Sequence, residues 1–450
     1  MKRTVAQLAT WLQASVVQQP EVYVTGVTID TRTVRPGDLF IPFRGERSNG
    51  HDYVAQAIEA GAAAVLWQED EPNRPKNIPL IEVENTEHAL QELARQYRLE
   101  HPATFIGITG SNGKTSSKDI VASLLSQYFK VQKTQGNFNN QLGLPITLLN
   151  LAEDAEVAVL EMGMSGFGEI EFLTTLARPH LAIITNIGEA HMQDLGSREG
   201  IARAKFEITA GLGEDGVLFY DGDEPLLRAL VTSTNHAQSF GMQPTNDLYA
   251  TGIIATEAGS EFTTNGVIEE RMTISVLGEH QVKNALGAIL VARHMGLTPA
   301  QIKQALAHVS LTDMRMQLVP KGDVLFINDA YNAAPTSVKA AIAFMTTTTI
   351  RPKKWLVLGD MLELGEQELA YHAALAEDID PKHIEMVLLF GPRMRALYDE
   401  LQHKFDATHL YYAAEDISAL TLLIEQNATA ETLILLKGSR GMRLERILQS

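Results

Sequence analysis

The chain has no cysteine among its 450 residues. That excludes a disulfide framework, a thiolate nucleophile, Cys-ligated zinc and an iron–sulfur cluster. A reducing, cytosolic home fits the absence. Basic residues are scarce: 37 Lys and Arg against 55 Asp and Glu leave a formal net charge of −18. Such a balance argues against a protein that coats nucleic acid or inserts stably at an anionic membrane, so any anionic ligand has to be held by local groups. Long apolar runs are missing as well, and no stretch approaches the roughly 18 consecutive apolar residues that span a bilayer. After Lys2-Arg3, Gln7, Thr10 and Gln13 interrupt the apolar run and no small-residue cleavage site follows. Val5, Leu8 and Leu12 therefore read as one face of an amphipathic helix rather than as a secretion signal.

What is present is the composition of a globular chain, 45% hydrophobic and 20% charged, long enough for roughly three domains at about 150 residues each. Strand candidates at Val22 to Ile29, Leu39 to Phe43, Ala64 to Trp67 and Leu80 to Val83, with a helix at Tyr53 to Ala60, describe a small α/β domain. The polar helix Glu87 to Arg98, ending at His101-Pro102, leads out of it. From Thr104 apolar strands alternate with helices: Phe105 to Thr109, a helix after Lys114, Val157 to Leu160, a helix at Ile170 to Leu176, Leu181 to Thr185, a helix at Ile201 to Leu212, then Val217 to Tyr220. This alternation predicts a largely parallel sheet covered on both faces. An antiparallel appendage between Leu248 and Val276 and helices at Gln281 to His294 and Pro299 to His308 close the domain. A third alternation starts near Val324, with strands at Val324 to Ile327, Trp355 to Leu358, Met386 to Phe390 and Leu433 to Leu436 and helices at Thr336 to Phe344 and Gln367 to Ala376. Thr346 to Thr349 reads as loop. The expected fold class is α/β in three domains, 1–100, 101–312 and 313–450, the last an open Rossmann-like sheet, with hinges near Pro102 and Asp313.

The strongest local feature is Ile106-Gly-Ile-Thr-Gly110-Ser111-Asn112-Gly113-Lys114-Thr115, an apolar strand feeding a glycine loop that opens a helix. Glycines let backbone N–H groups approach a phosphate, the helix N-terminus adds its positive end, Lys114 reaches terminal phosphates and the Thr115 hydroxyl suits Mg²⁺. The longer pattern G-x-x-x-x-G-K-[ST] would need glycine where Ile108 stands, so the motif is the shorter G-x-x-G-K-T. Such a loop works with a carboxylate at a neighbouring strand end. Val157 to Leu160 delivers Glu161, and Leu181 to Thr185 runs into a loop that carries His191. Lys205, Asn284, Arg315 and Asp329 are unremarkable singly, and spacing alone does not join them.

Together these segments resemble the Mur ligases, ATP-dependent amide-forming enzymes of peptidoglycan precursor synthesis, and the resemblance covers essentially the whole chain in order. Gly136-Asn137-Phe-Asn139-Asn140-Gln-Leu-Gly-Leu-Pro145, Asp329-Ala-Tyr331-Asn332-Ala-Ala-Pro335, Leu358-Gly-Asp-Met-Leu-Glu-Leu-Gly365 and Lys437-Gly-Ser439-Arg440 resemble the branch that adds a D-alanyl-D-alanine dipeptide to UDP-N-acetylmuramoyl-tripeptide. The resemblance implies an N-terminal domain for the UDP part, a central ATPase domain and a C-terminal domain that admits the dipeptide. It implies an acyl phosphate formed from the tripeptide carboxylate and the γ-phosphate of ATP, then displacement of phosphate by the dipeptide amine. Lys114, Glu161, His191 and Lys205 are the implied catalytic residues. Thr115 and Glu161 would hold one Mg²⁺ and His191 a second, and Lys205 would join the metal ligands as a carbamate (N6-carboxylysine). Asn284, Arg315 and Asp329 would meet the adenine, phosphates and ribose of ATP.

Thr28-Ile-Asp30-Thr31-Arg32 matches the family's uridine-diphosphate motif, with Thr31 where Ser is usual, and hydroxyl and guanidinium groups suit an anionic ligand. The competing reading of the same residues is a turn with an N-capping Asp. Asn137, Asn139 and Asn140 would orient substrate, with muropeptide and phosphate contacts left open among them. Tyr331, Asn332, Lys437, Ser439 and Arg440 would face the dipeptide. Asp313 and Met314 stand where relatives commonly carry Gly just before Arg315. The implied protein is a cytoplasmic monomer without nucleic-acid partners, and the third residue of the tripeptide, lysine or diaminopimelate, stays open. Alternatives are a sister ligase that adds a single amino acid, including the folylpolyglutamate synthase type with its short P-loop, and a non-catalytic nucleotide-binding protein. Asp30-Thr31-Arg32 favours a UDP ligand over a folate.

Overall fold

The computed structural model describes residues 1–45, 48–76, 78–189, 192–232, 236–312 and 314–449. Its internal contacts divide the chain into two compact units, Met1–Tyr249 with Leu286–Leu297, and Ala250–Ala285 with Thr298–Ser450.

In the first unit the amphipathic helix forms as Val5–Leu12, closed at its start by a capping box between Thr4 and Gln7, and buries Val5, Leu8 and Ala9. A five-stranded sheet follows in the order Ser15–Val17, Leu80–Val83, Ala64–Gln68, Asp38–Phe40, Gly26–Thr28, parallel except for its first pair. The single strand expected from Val22 to Ile29 is two. Tyr23–Val24 pairs with Arg3–Thr4, while Gly26–Thr28 enters the sheet beside Asp38, whose side chain occupies the space a Cβ at Gly26 would need.

The second sheet of this unit is parallel, in the order Val131–Lys133, Val157–Glu161, Thr104–Thr109, Leu181–Ile184, Val217–Asp221, Ala237–Gly241, and then the first residues of Leu248–Thr256. Strand Thr104–Thr109 is interior to it, which is why Phe105, Ile106 and Ile108 are wholly buried. One apolar core runs from Val5, Leu39 and Leu66 through Leu90, Leu93 and Tyr97 to Phe105, Leu144 and Leu173. Arg98 rivets the same junction: Nε donates to Ala177 O at 2.5 Å and Nη2 to Arg178 O at 2.7 Å, at the end of helix Glu169–Ala177, with the guanidinium 3.8 Å from the Phe105 ring centroid. Pro102 is exposed, between buried His101 and Ala103. Asp313 lies outside the described residues.

The second unit holds a six-stranded sheet in the order Gln317–Lys321, Val324–Asn328, Thr432–Lys437, Lys353–Gly359, Met386–Phe390, Leu410–Ala413. The first pair is antiparallel and the rest parallel. Pro320, which lacks an N–H, suits Gln317–Lys321 to an edge. The antiparallel pair Gly259–Gly266 and Glu270–Ile274 is the expected appendage. Helix Pro335–Thr347 runs through two of the threonines expected in a loop, because Thr346 and Thr347 turn their hydroxyls back to Ile342 O and Ala343 O at 3.0 and 3.1 Å.

Candidate active site

Strand Thr104–Thr109 hands the chain to the glycine loop, and helix Lys114–Leu125 starts at its end. Gly113, at φ 79°, takes a left-handed turn immediately before the helix, and at Gly110 (φ 150°) an added Cβ would run into the Thr185 hydroxyl. The next strand straps the loop down. Asn112 N donates to Asn186 Oδ1 at 2.9 Å, Asn186 Nδ2 returns a bond to Asn112 O at 2.9 Å, and Thr185 Oγ1 donates to that carbonyl at 2.5 Å. Lys114 Nζ lies along the loop, 2.7 Å from Gly110 O and 3.4 Å from Ser111 O. Ser111 Oγ is buried with no hydrogen-bond partner. Loop amides, helix start, ammonium and an unsatisfied hydroxyl form an anion cradle.

Glu161 ends strand Val157–Glu161 beside this loop and is 3% exposed. Its backbone N donates to Thr134 Oγ1 at 3.0 Å, its Oε1 accepts from Asn139 Nδ2 at 2.9 Å, and its Oε2 is buried without a hydrogen-bond partner. A rigidly held carboxylate with one open oxygen, together with the Thr115 hydroxyl in the first turn of the loop helix, is a donor set that fits a hard divalent cation. Lys205, on helix Arg198–Phe206, is 2% exposed, and its ammonium makes no hydrogen bond or ion pair among the described residues. Burial, with the Lys114 charge adding to it, pushes its pKa well below the ordinary lysine range. A neutral amine is the form that can take up CO₂. His191 lies outside the described residues, and among those described no cluster of three His, Asp or Glu side chains is poised for a metal.

Of the three asparagines, Asn139 is committed to Glu161, and the Asn140 oxygen accepts from Leu142 N and Gly143 N at 3.2 and 2.9 Å, at the start of helix Gly143–Leu149. Asn137 O accepts from Asn139 N at 2.7 Å, and Asn137 is exposed. Asp30 does cap the short 3₁₀ turn Thr31–Thr33, accepting from Arg32 N at 2.9 Å, and it also holds the exposed Arg32 guanidinium at 2.6 Å. Thr28 Oγ1 lies 2.8 Å from Thr33 Oγ1, and Thr31 Oγ1 donates to Gln56 Oε1 at 3.1 Å.

In the second unit the strand ends gather several of the expected residues. Lys437 Nζ donates to Asp329 Oδ2 at 2.6 Å and to Asn332 O at 3.1 Å, while Asp329 Oδ1 accepts from Met316 N at 3.1 Å. The Arg315 guanidinium sits 4.2 Å from the Tyr331 ring centroid, its Nε buried and without a partner. Met314 and Met316 adopt left-handed φ of 66° and 51°. Glycine would take that conformation at Met314 without strain. Arg440 is engaged by Glu445 at 2.7 Å, Ser439 Oγ accepts from Leu362 N at 2.9 Å, and Asn284 Nδ2 donates to Gln281 Oε1 at 3.2 Å. Sequence reasoning did not single out Lys118, Asp119, Lys133, Thr134, Thr185 or Asn186. A signal was there in part: Lys118-Asp119 puts two charges directly before the buried Ile120-Val121 of the loop helix.

A parallel α/β sheet with a strapped P-loop and a buried strand-end carboxylate defines a P-loop enzyme that uses ATP. The chain belongs to the Mur ligase family: models described as Mur ligase family, catalytic domain, as Mur ligase middle domain, and as Mur ligase, glutamate ligase domain match residues 23–98, 108–292 and 314–440. It is 44% identical to the UDP-N-acetylmuramoyl-tripeptide–D-alanyl-D-alanine ligase of Bacillus subtilis, over 100% of this chain and 98% of that one. Among solved structures it resembles MurF from Acinetobacter baumannii, with a TM-score of 0.89, 29% identity and coverage of 100% and 98%. It also resembles the MurF ligase of Thermotoga maritima in complex with ADP, with a TM-score of 0.82, 28% identity and coverage of 95% and 96%.

Proposed function

We infer that this protein is an ATP-dependent ligase that joins D-alanyl-D-alanine to UDP-N-acetylmuramoyl-tripeptide, completing the pentapeptide precursor of peptidoglycan. The observation that carries the reading is the full-length match to a ligase named for that reaction, on a chain whose own loop, strap and carboxylate form the cradle such a reaction needs. The tripeptide carboxylate attacks the γ-phosphorus and ADP leaves; the dipeptide amine then attacks the acyl carbon, and phosphate departs. Neither step needs a protein nucleophile. Lys114 and the loop amides spread charge on the transferring phosphoryl group, and Asn139 with Thr134 keeps Glu161 in place.

Mg²⁺ would be held by Thr115 and Glu161, with His191 and a carbamylated Lys205 as further ligands, two ions in all. When bound, it neutralises phosphate charge. From the second unit, Asn284, Arg315 and Asp329 are our candidates for adenine, phosphate and ribose contacts, and Tyr331, Asn332, Lys437, Ser439 and Arg440 for the dipeptide side. In the first, Thr28, Asp30, Thr31 and Arg32 are candidates for the UDP, and Asn137 and Asn140 for the muropeptide. We place the domain boundaries at 1–100, 101–312 and 313–450. A cytoplasmic home is supported by the absence of cysteine and by the finding that no described helix is long and apolar enough to cross a membrane.

The test is mass-spectrometric. Protein with ATP, Mg²⁺ and UDP-N-acetylmuramoyl-tripeptide is offered D-alanyl-D-alanine in one tube and single amino acids in others. Growth by one dipeptide with matching phosphate release is the expected result; growth by one amino acid only would move the protein to a sister branch.

A further inference from the structure

Lys118 and Asp119 lie one helical turn beyond Lys114, and the ligase reading gives them no role. Both are buried, at 2% and 0% exposure. Lys133, at the end of strand Val131–Lys133, donates to Asp119 Oδ1 at 2.6 Å. Lys118 Nζ stands 3.7 Å from the same Asp119 oxygen and 3.8 Å from Glu161 Oε2. The result is a row of alternating charge, Lys133, Asp119, Lys118, Glu161, that sums to zero. Burying three of these charges, with Lys133 part-exposed, is weak evidence for stability, since apolar side chains of the same volume commonly serve as well. The row therefore calls for another account.

We propose that Lys118 and Asp119 are a counter-charge pair that sets how strongly Glu161 binds a divalent cation. The inference rests on the ligase reading only in taking Glu161 as the metal-holding carboxylate. The spacing carries it. At 3.8 Å the ammonium is within ion-pair range of Glu161 Oε2 yet too far to hydrogen-bond it, and that oxygen has no other hydrogen-bond partner. A direct hydrogen bond would have to be broken before an ion could bind. An ammonium held back by Asp119 offsets the carboxylate charge and leaves the lone pairs of Oε2 open. Asp119 is itself anchored by Lys133, so the ammonium sits between two carboxylates without closing on either. Lys118 is a positioning residue in this scheme and touches no substrate.

The charge row makes a signed prediction that a packing role does not. Lys118→Met leaves the row at −1, Asp119→Asn leaves it at +1, and Lys118→Arg keeps it neutral. The readout is the Mg²⁺ concentration at half-maximal Mg²⁺-dependent ADP binding, measured by calorimetry on the full chain, with ADP binding in EDTA as the reference. Lys118→Met should lower that concentration about tenfold and Asp119→Asn should raise it about tenfold, as expected for one charge added or removed within a few ångströms. Lys118→Arg should stay within about twofold of wild type. Shifts of the same sign in the first two variants, no shift in either, or an arginine variant as perturbed as the methionine one would overturn the proposal. Should Lys118→Met fail to fold, Lys133→Met creates the same −1 row and must lower the concentration. The measurement uses no acceptor, so failure of the ligase reading would appear separately, as wild-type protein that makes no dipeptide adduct.

Discussion

Lys205 brings an ammonium into the protein interior without a hydrogen-bond or ion-pair partner among the described residues, and Lys114 adds repulsion. Its folded pKa lies well below the ordinary lysine value of 10.5. Between those two values the unfolded chain holds a proton that the folded chain lacks, so stability climbs with pH through that window and levels off above it. In CO₂-free buffer near neutral pH, Lys205→Met should therefore gain about 1–3 kcal/mol in urea unfolding and lose the pH slope, while ligation stops. A destabilised variant would contradict the burial account. Carbamylation predicts in addition a native mass heavier by one CO₂ and activity that rises with bicarbonate; fully active protein of unmodified mass would reject it. The sequence made Lys114 legible because its chemistry is local, written in a glycine loop between strand and helix. The isolation of Lys205 was not legible, because it arises from elements distant in the chain. Asp30 shows the opposite case: the capping turn read from its motif is present in the structure, and the same carboxylate also holds the exposed Arg32 guanidinium.

At the scale of elements, the strap from Thr185-Asn186 makes the P-loop a fixed cradle. Asn186→Ala removes both side-chain bonds to Asn112. That should cost about 1–2 kcal/mol of stability and raise the KM for ATP several-fold with a smaller change in kcat, as steady-state kinetics at saturating muropeptide would show. Equal losses in both constants would mean that the strap acts on the transition state instead. Arg98 works at a larger junction, where helix Thr86–Glu100 meets the end of helix Glu169–Ala177. Burial lowers its pKa to about 10, so it stays a cation at neutral pH. Arg98→Met leaves the buried Ala177 carbonyl and the part-buried Arg178 carbonyl without their donor and should destabilise by about 2–4 kcal/mol in urea; a change below about 0.5 kcal/mol, the range of ordinary surface substitutions, would remove its riveting role. Buried parallel strands such as Val157–Glu161 and Met386–Phe390 were legible as apolar runs between helices. Edge strands such as Gln317–Lys321 and Leu410–Ala413 were not, because half-exposed residues carry no clean period. Nor does a sequence pattern announce a core shared across Pro102, since periodicity reports which face of an element is buried and not against what.

For the whole molecule, a charge of −18 has to coexist with two polyanionic substrates. The two effects act over different ranges. The net charge repels ATP and the nucleotide-peptide over distances that salt screens, with a Debye length of about 10 Å at 0.1 M. The helix start, the loop amides and Lys114 attract only at contact, where screening is weak. Added salt should therefore relieve the long-range repulsion and spare the local attraction. Between about 10 and 100 mM KCl at fixed free Mg²⁺, kcat/KM for ATP should rise about two- to fivefold while kcat stays level. That sign is opposite to the one shown by electrostatically steered enzymes, whose association slows in salt. If kcat/KM fell instead, the basic groups at the cradle would have to govern capture from beyond a Debye length, and the acidic surface would be electrostatically irrelevant to substrate approach.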